Sequence, residues 1–296
     1  MMQTKSQIRQ LLESAGLRPN KRLGQHFLID LNLMRLLVDS ANIQKKDVVL
    51  EAGCGTGSLT SMLAEKAGRV IAVELDHNLF NIAGEQLSEF KNLDLLDIDI
   101  LESKNSISEK VTSLLSVAHD NFPGRILLVA NLPYNVASPV MMNLITGRIK
   151  ADCMYVTVQK EVADRMNAQP GSSDYGVLGI IMQAAGDVEI IRILKPGVFW
   201  PRPQVDSAMV SFIHNKIKSS RIPEMQFFSK IVHLFMNHRR KTLHACSRLE
   251  EAGISGIDDW DEVFRNCSVN PTLRPDQISP DQYVAIASYI KQKKIL

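Results

Sequence analysis

The chain has 296 residues, 45% of them hydrophobic, and its 34 Lys plus Arg against 32 Asp plus Glu leave a formal net charge of +2. This length carries one large core with a smaller satellite, and near-neutrality neither demands nor excludes a nucleic-acid partner. No run approaches the roughly 18 apolar residues of a membrane-spanning helix, the first ten residues lack the apolar stretch of a secretory signal, and the four cysteines are scattered with no CxxC pair; a soluble cytoplasmic protein with reduced thiols, no zinc site and no disulfide framework is expected.

In chain order, apolar runs rich in Val, Ile and Leu predict buried strands over Val48 to Ala52, Val70 to Leu75, Leu93 to Ile98, Ile126 to Ala130 and Met154 to Val158. Between the first two, Leu59, Met62, Leu63 and Ala67 share one face of a helix over Ser58 to Gly68, with Gly68 where a C-terminal cap belongs. Strand, helix, strand at this spacing is a βαβ unit, so an α/β fold with a Rossmann-like sheet is expected. Two further runs, Val188 to Ile193 and Ala208 to Ile213, flank the Pro-rich Pro196 to Pro203 with no helical pattern between them, which suggests an antiparallel closure of the sheet. After about Asn215 the strand pattern stops, and helical patterns over Glu224 to Leu249 and near Asp258 and Asp281 predict a small C-terminal all-helical domain, dividing the chain into 1–213 and 214–296. The second part is the basic one, with thirteen Lys plus Arg against nine Asp plus Glu; local clusters stand at Arg18, Lys21 and Arg22 and at Arg239, Arg240 and Lys241.

The strongest local signal is Glu51-Ala52-Gly53-Cys54-Gly55-Thr56-Gly57, between the first strand and its helix. Glycines at this spacing permit a tight turn and close approach of a ligand, but the GxGxxG of dinucleotide-binding folds is not met, because Ser58-Leu59 follow Gly57. Glu74, ending the second strand, is placed to accept from both ribose hydroxyls of a nucleoside, and Asp99, ending the third, from an adenine amine. Taken singly, Glu74 also reads as a surface carboxylate and Asp99 as a helix cap for the region of Glu102; aligned on successive strand ends with the Gly-rich turn, they point to a nucleoside cofactor.

Asn131-Leu132-Pro133-Tyr134 follows the fourth strand, at the carboxyl edge where open α/β sheets bind ligands. An exocyclic adenine nitrogen is a poor methyl acceptor because its lone pair is delocalised into the ring. An acceptor that takes the amine's hydrogens favours a pyramidal nitrogen, and the Asn131 amide oxygen with a main-chain carbonyl at Leu132 or Pro133 can do this. Tyr134 offers a flat face on which an extruded base can stack, worth about 1–3 kcal/mol. His238 has no second ligand at metal-binding spacing, so no metal is expected.

These motifs occur in a particular order: Asn20-Lys21-Arg22-Leu23-Gly24-Gln25-His26-Phe27-Leu28, the GxGxG turn, Val73-Glu74-Leu75-Asp76, Asn131-Leu132-Pro133-Tyr134-Asn135, Gln159-Lys160-Glu161-Val162-Ala163, and Phe199-Trp200-Pro201-Arg202-Pro203-Gln204-Val205-Asp206-Ser207. In that order and spacing, from about Asn20 to Leu243, the chain resembles the ribosomal RNA adenine dimethyltransferases, and the small-subunit branch in particular. The resemblance implies a class I methyltransferase domain with an N-terminal arm at 1–213, using S-adenosylmethionine, and an RNA-binding helical domain at 214–296. It implies that His26 and Leu28 line the cofactor site with Gly53, Gly55, Glu74, Asp99 and Asn131, and that Phe199 and the Pro201 to Pro203 turn border the target base. From its residues alone, the Phe199 loop reads equally as a stacking surface or as a rigid connection packed on the core. Arg239, Arg240 and Lys241 are expected to meet RNA phosphates. The family often has Asn where His26 stands and usually Lys where Gln204 stands. Formation of N6,N6-dimethyladenine in small-subunit ribosomal RNA, within a small-subunit particle and by a monomer, is the expected activity. The competing readings are a large-subunit adenine methyltransferase of the macrolide-resistance type, a ribosome-assembly factor acting mainly by binding, and, more remotely, a dehydrogenase.

Overall fold

The computed structural model describes residues 3–20, 23–249, 257 and 259–293; Lys21, Arg22 and Asp258, named above, lie outside the described residues. The chain opens with α1 (Lys5–Ser14), β1 (Phe27–Leu28) and α2 (Leu31–Ser40), then alternates β2 (Val48–Ala52), α3 (Ser58–Lys66), β3 (Arg69–Glu74), α4 (His77–Gln86) and β4 (Leu93–Asp97). A hairpin of β5 (Leu101–Ser103) and β6 (Ser106–Ile107) leads to α5 (Glu109–Asn121), β7 (Ile126–Asn131), α6 (Ala137–Thr146), β8 (Cys153–Gln159) and α7 (Lys160–Asn167). There follow α8 (Val177–Ala185), β9 (Gly186–Leu194), β10 (Phe199–Trp200), β11 (Ser207–His214), α9 (Lys216–Ser220), α10 (Met225–Met236), α11 (Leu243–Ser247), α12 (Trp260–Asn266) and α13 (Pro280–Lys293).

All seven strands expected from the apolar runs form, each within two residues of its expected bounds, in one sheet ordered β4-β3-β2-β7-β8-β11-β9. From β4 to β8 every pair is parallel, whereas β11 runs antiparallel to β8, from Ser207 opposite Gln159 to Ile213 opposite Cys153. Because both faces of the central strands are covered, β2 is buried along its whole length and reads as a continuous apolar run broken only by Glu51. The chain leaves β2 toward β3 and β4, then returns to place β7 on the other side of β2. That reversal makes the crevice between the carboxyl ends of β2 and β7 the topological switch point, where α/β sheets bind ligands.

Three local expectations change. Gly68 is not a left-handed cap: Ala67 ends α3 in an extended conformation, and a Cβ on Gly68 would lie 2.4 Å from the Lys45 carbonyl oxygen, so the glycine serves a close backbone approach. The helix expected over 224–249 breaks after Met236, and Thr242 starts a new one by accepting the Ala245 N–H. The chain forms two compact units, Met1–Ala163 with Glu189–Ile213 and Asp164–Val188 with His214–Leu296, in place of a single cut after residue 213. Residues 164–188 join the second unit because α8, apolar on nearly every side, is covered by α10 and α13. At the centre of that unit Phe235 meets Trp260 edge-on at 5.6 Å and Tyr283 at 6.2 Å, while the buried hydroxyls of Tyr175 and Tyr283 donate to the carbonyls of Ile278 and Pro275.

Among the described residues no helix is long and apolar enough to cross a membrane, and no cluster of three or more His, Cys, Asp or Glu is placed to hold a metal.

Candidate active site

One cavity opens at the switch point, wholly within the first unit, and every residue assigned above to the cofactor or to methyl transfer lines it. Its floor is the turn after β2, where Gly53, Gly55 and Gly57 take φ of +78°, +60° and +84°. The N–H groups of Gly53 and Cys54 both donate to the Val73 carbonyl, at 2.8 and 3.2 Å, fastening the turn to β3. Glu74, at the end of β3, is buried; its two carboxylate oxygens accept the Gly55 N–H at 2.8 Å and the Asp76 N–H at 3.0 Å. Burial raises its pKa, against the pull of those N–H groups, and each oxygen keeps acceptor capacity toward the cavity. Asp99 is exposed at the rim, where Oδ1 accepts the Leu101 N–H at 2.9 Å; it caps the β5–β6 hairpin, since no helix begins there.

Asn131 is the last residue of β7. Its Nδ2 donates to the His26 carbonyl at 2.8 Å and its Oδ1 accepts from the Thr157 hydroxyl, so the amide has a defined orientation. Leu132 is buried, and the Pro133 carbonyl takes the Val136 N–H at 3.1 Å, closing the turn into α6. The Tyr134 hydroxyl pairs with the buried Ser207 Oγ at 2.6 Å; burial raises its pKa more than this bond lowers it, so the phenol stays protonated and is no base.

The N-terminal arm crosses this turn. Phe27 and Leu28 of β1 pair antiparallel with Trp200 and Phe199 of β10, and the His26 ring stacks on Tyr134 with centroids 5.3 Å apart. Since a carbonyl only accepts, the 2.7 Å contact from His26 Nδ1 to the Pro201 oxygen fixes the proton on Nδ1. One face of the Tyr134 ring, expected to be open to a base, is therefore occupied by His26.

Phe199, Arg239, Arg240 and Lys241, expected to contact the substrate, do not line this cavity. Phe199, registered opposite Leu28, is 1% exposed and belongs to the main core, packed as a connection between the arm and the sheet. Arg239 is committed inside the second unit, donating to Asp276 at 3.1 Å and to the carbonyls of Ser172 and Ser173 at 2.9 Å, while Arg240 and Lys241 are exposed.

Several further residues of the site have no role among the sequence motifs. Ile8 of α1 reaches the cavity, with Gln3 held by Ser58 and Thr56; the Ile8 and Leu12 spacing was the signal for it. Thr157 and Ser207 carry no local signal, since register alone brings them to Asn131 and Tyr134. Glu51 also lines the cavity, 1% exposed, with Oε2 lacking a hydrogen-bond partner among the described residues. Burial, with the Glu74 charge adding to it, lifts its carboxyl from 4.5 to about 8. An acid whose pKa is raised by folding binds more protons folded than unfolded, so stability falls as pH rises through that window. Glu51→Gln is expected to flatten the fall and to raise Tm at pH 9, by an amount on the order of a few kcal/mol in stability. Parallel melting curves from pH 5 to 9 in both proteins would show that Glu51 is not the group.

A family model described as ribosomal RNA adenine dimethylase matches residues 16–292. The chain is 33% identical to ribosomal RNA small subunit methyltransferase A of Geobacillus sp. (strain WCH70) over 292 residues, 97% of each chain. Among solved structures it is similar to a dimethyladenosine transferase from Plasmodium falciparum, with TM-score 0.72 and 22% identity over 90% of this chain and 97% of that one. It is also similar to the 23S rRNA methyltransferase ErmE, with TM-score 0.60 and 19% identity over 90% of this chain and all of that one. At those identities the two structures establish the fold, a class I methyltransferase sheet with a helical second part. With a family match across nearly its whole length, and the glycine turn, Glu74 and the Asn131 motif gathered in one cavity, the chain belongs to the ribosomal RNA adenine dimethylase family.

Proposed function

We propose that this protein transfers methyl groups from S-adenosylmethionine to N6 of adenines in small-subunit ribosomal RNA, giving N6,N6-dimethyladenine during small-subunit biogenesis. The observation that carries this reading is the oriented Asn131 amide at the end of β7, in the same cavity as the glycine turn. The relatives' small-subunit name supports the choice of RNA.

The cavity residues fit the cofactor. Side chains at Gly53 or Gly55 would run into Pro133 or Phe27 and fill the cradle, and the buried Glu74 carboxylate keeps acceptor positions suited to vicinal hydroxyls. In this reading Glu74 holds the ribose, Asp99 the adenine amine, and His26 and Leu28 cover the cofactor. The cofactor supplies a methyl group on a sulfonium cation that leaves as a neutral thioether. Asn131 Oδ1 accepts one hydrogen of the target amine and a main-chain carbonyl at Leu132 or Pro133 the other, turning the nitrogen lone pair out of the ring plane. Holding amine and methyl in line supplies most of the catalysis; the methylated nitrogen carries the positive charge and sheds its now acidic proton to water, so no side chain needs to act as a strong base. Tyr134, braced by Ser207 and His26, borders the base with its remaining face.

Arg240 and Lys241 meet phosphates, and Arg239 supports the loop that carries them. Replacing Arg240 and Lys241 by Ala is expected to weaken RNA binding and to lower the slope of log K against log salt by about 1 for each charge. Arg239→Ala should instead destabilise the fold by about 1–3 kcal/mol, seen in Tm. An unchanged salt slope in the double variant would remove the phosphate role.

The protein works in the cytoplasm as a monomer on a small-subunit particle. Transfer of labelled methyl to naked RNA, small subunits and large subunits, followed by nucleoside analysis, tests the whole reading. Dimethyladenine confined to small-subunit RNA is the expected result. Label in large-subunit RNA would make the protein a methyltransferase of the macrolide-resistance type, and tight particle binding without label an assembly factor.

A further inference from the structure

Thr157 is a polar residue in the interior of β8, 1% exposed, in a strand otherwise made of apolar and aromatic side chains up to Gln159. Its Cα is registered opposite Asn131 in the parallel β7–β8 pair. It grips the catalytic turn twice, because its carbonyl accepts the Leu132 N–H at 3.2 Å and its hydroxyl donates to Asn131 Oδ1. The two ends of an asparagine amide are nearly equal in size and χ2 is broad, so packing alone does not choose between its two orientations. Hydrogen-bond partners choose. The His26 carbonyl only accepts, so it draws Nδ2; Oδ1 is then left facing Thr157, whose hydroxyl fills one of its two acceptor positions and leaves the other.

We propose that Thr157 is a positioning residue, acting with the His26 carbonyl to keep the oxygen end of Asn131 toward the target amine with a single acceptor position free. The inference rests on the reading of Asn131 given above and deepens it. A β-branched side chain on a strand has little χ1 freedom, so the hydroxyl is held where register puts it. Its removal leaves the amide oxygen short of one donor inside a partly buried site and loosens the amide, which is then held only from Nδ2 by the His26 carbonyl. That loss falls on the rate of methyl transfer, because Thr157 is not among the residues lining the cofactor cavity.

The test compares Thr157→Val, which keeps the shape and removes the donor, with Thr157→Ser, which restores the hydroxyl, in single-turnover methylation of RNA and in calorimetry with S-adenosylmethionine. Thr157→Val is expected to lower the rate of transfer about tenfold, with cofactor Kd and RNA KM within about twofold of wild type. Thr157→Ser should recover most of the rate. In the Asn131→Ala background, Thr157→Val should cost nothing further, since the two act as one unit. A wild-type rate in Thr157→Val beside an inactive Asn131→Ala overturns the proposal while leaving the Asn131 reading intact. So does a parallel loss of cofactor affinity and rate that Ser fails to restore, or full additivity in the double variant, each of which makes Thr157 only part of the scaffold. A wild-type rate in Asn131→Ala removes the underlying reading and the proposal with it.

Discussion

Asn131→Ala is expected to slow methyl transfer by a factor on the order of 10²–10³, with cofactor affinity changed by no more than about threefold, because in the function proposed above the side chain supplies a preorganised acceptor where the amine nitrogen becomes pyramidal. The structure gives the preorganisation a cause. Both ends of the amide are engaged, Nδ2 by the His26 carbonyl and Oδ1 by Thr157, so the group does not have to be ordered when the base arrives. Binding and chemistry separate in this variant because the groups proposed to hold the nucleoside, Glu74 and Asp99, stand on β3 and just beyond β4, away from β7. The measurement is single-turnover transfer to small subunits beside calorimetry with S-adenosylmethionine. A wild-type rate with normal cofactor binding would remove Asn131 from the chemistry and leave the turn as a structural strand end.

Gly53→Ala is expected to damage both functions together. Its φ of +78° lies in the left-handed region, which costs an L-residue about 1 kcal/mol or more. A Cβ there would also stand 2.9 Å from Pro133 Cγ and 3.1 Å from Pro133 Cδ, too close for either turn to stay in place. Overpacking of this kind typically adds about 1–3 kcal/mol, and here the atom displaced belongs to the Asn131-to-Tyr134 turn. The expected outcome is a lower Tm, a cofactor Kd raised at least about tenfold, and a reduced rate with cofactor saturating. A loss in Kd alone, with normal kcat, would show that the proline turn yields without disturbing Asn131. Unchanged Kd and Tm would show that neither the φ nor the contact constrains the site.

The legible part of the site is the part that local chemistry specifies. Glycines at GxGxG demand a turn of unusual φ directly after an apolar run, and Gly53, Gly55 and Gly57 adopt it. Glu74, Asp99 and Asn131 stand at or just beyond the ends of apolar runs, and in a parallel sheet those ends share one edge, so spacing alone was enough to gather them in one cavity. The surroundings of Phe199 and Arg239 were not legible, for the complementary reason. An aromatic between glycine and prolines, or an arginine in a basic run, has the same local pattern whether it faces a ligand or its own fold. Only the strand opposite Phe199, and the Asp276 that meets Arg239 from 37 residues away, decide which.

From the sequence came the parallel α/β sheet, the glycine turn, the strand-end acids, the Asn131 motif and the helical character of the last eighty or so residues, since hydrophobic period, turn chemistry and strand-end position are written within windows of a few residues. The tertiary structure decided that Thr157 faces Asn131 across 26 residues, that Ser207 meets Tyr134 across 73, and that the His26 carbonyl takes the Asn131 amide across 105. It also decided that residues 164–188 leave the first unit for the second. Strand register and the covering of apolar faces are settled by the sum of many distant contacts, and the local pattern of a strand is the same in every register that keeps its buried face buried.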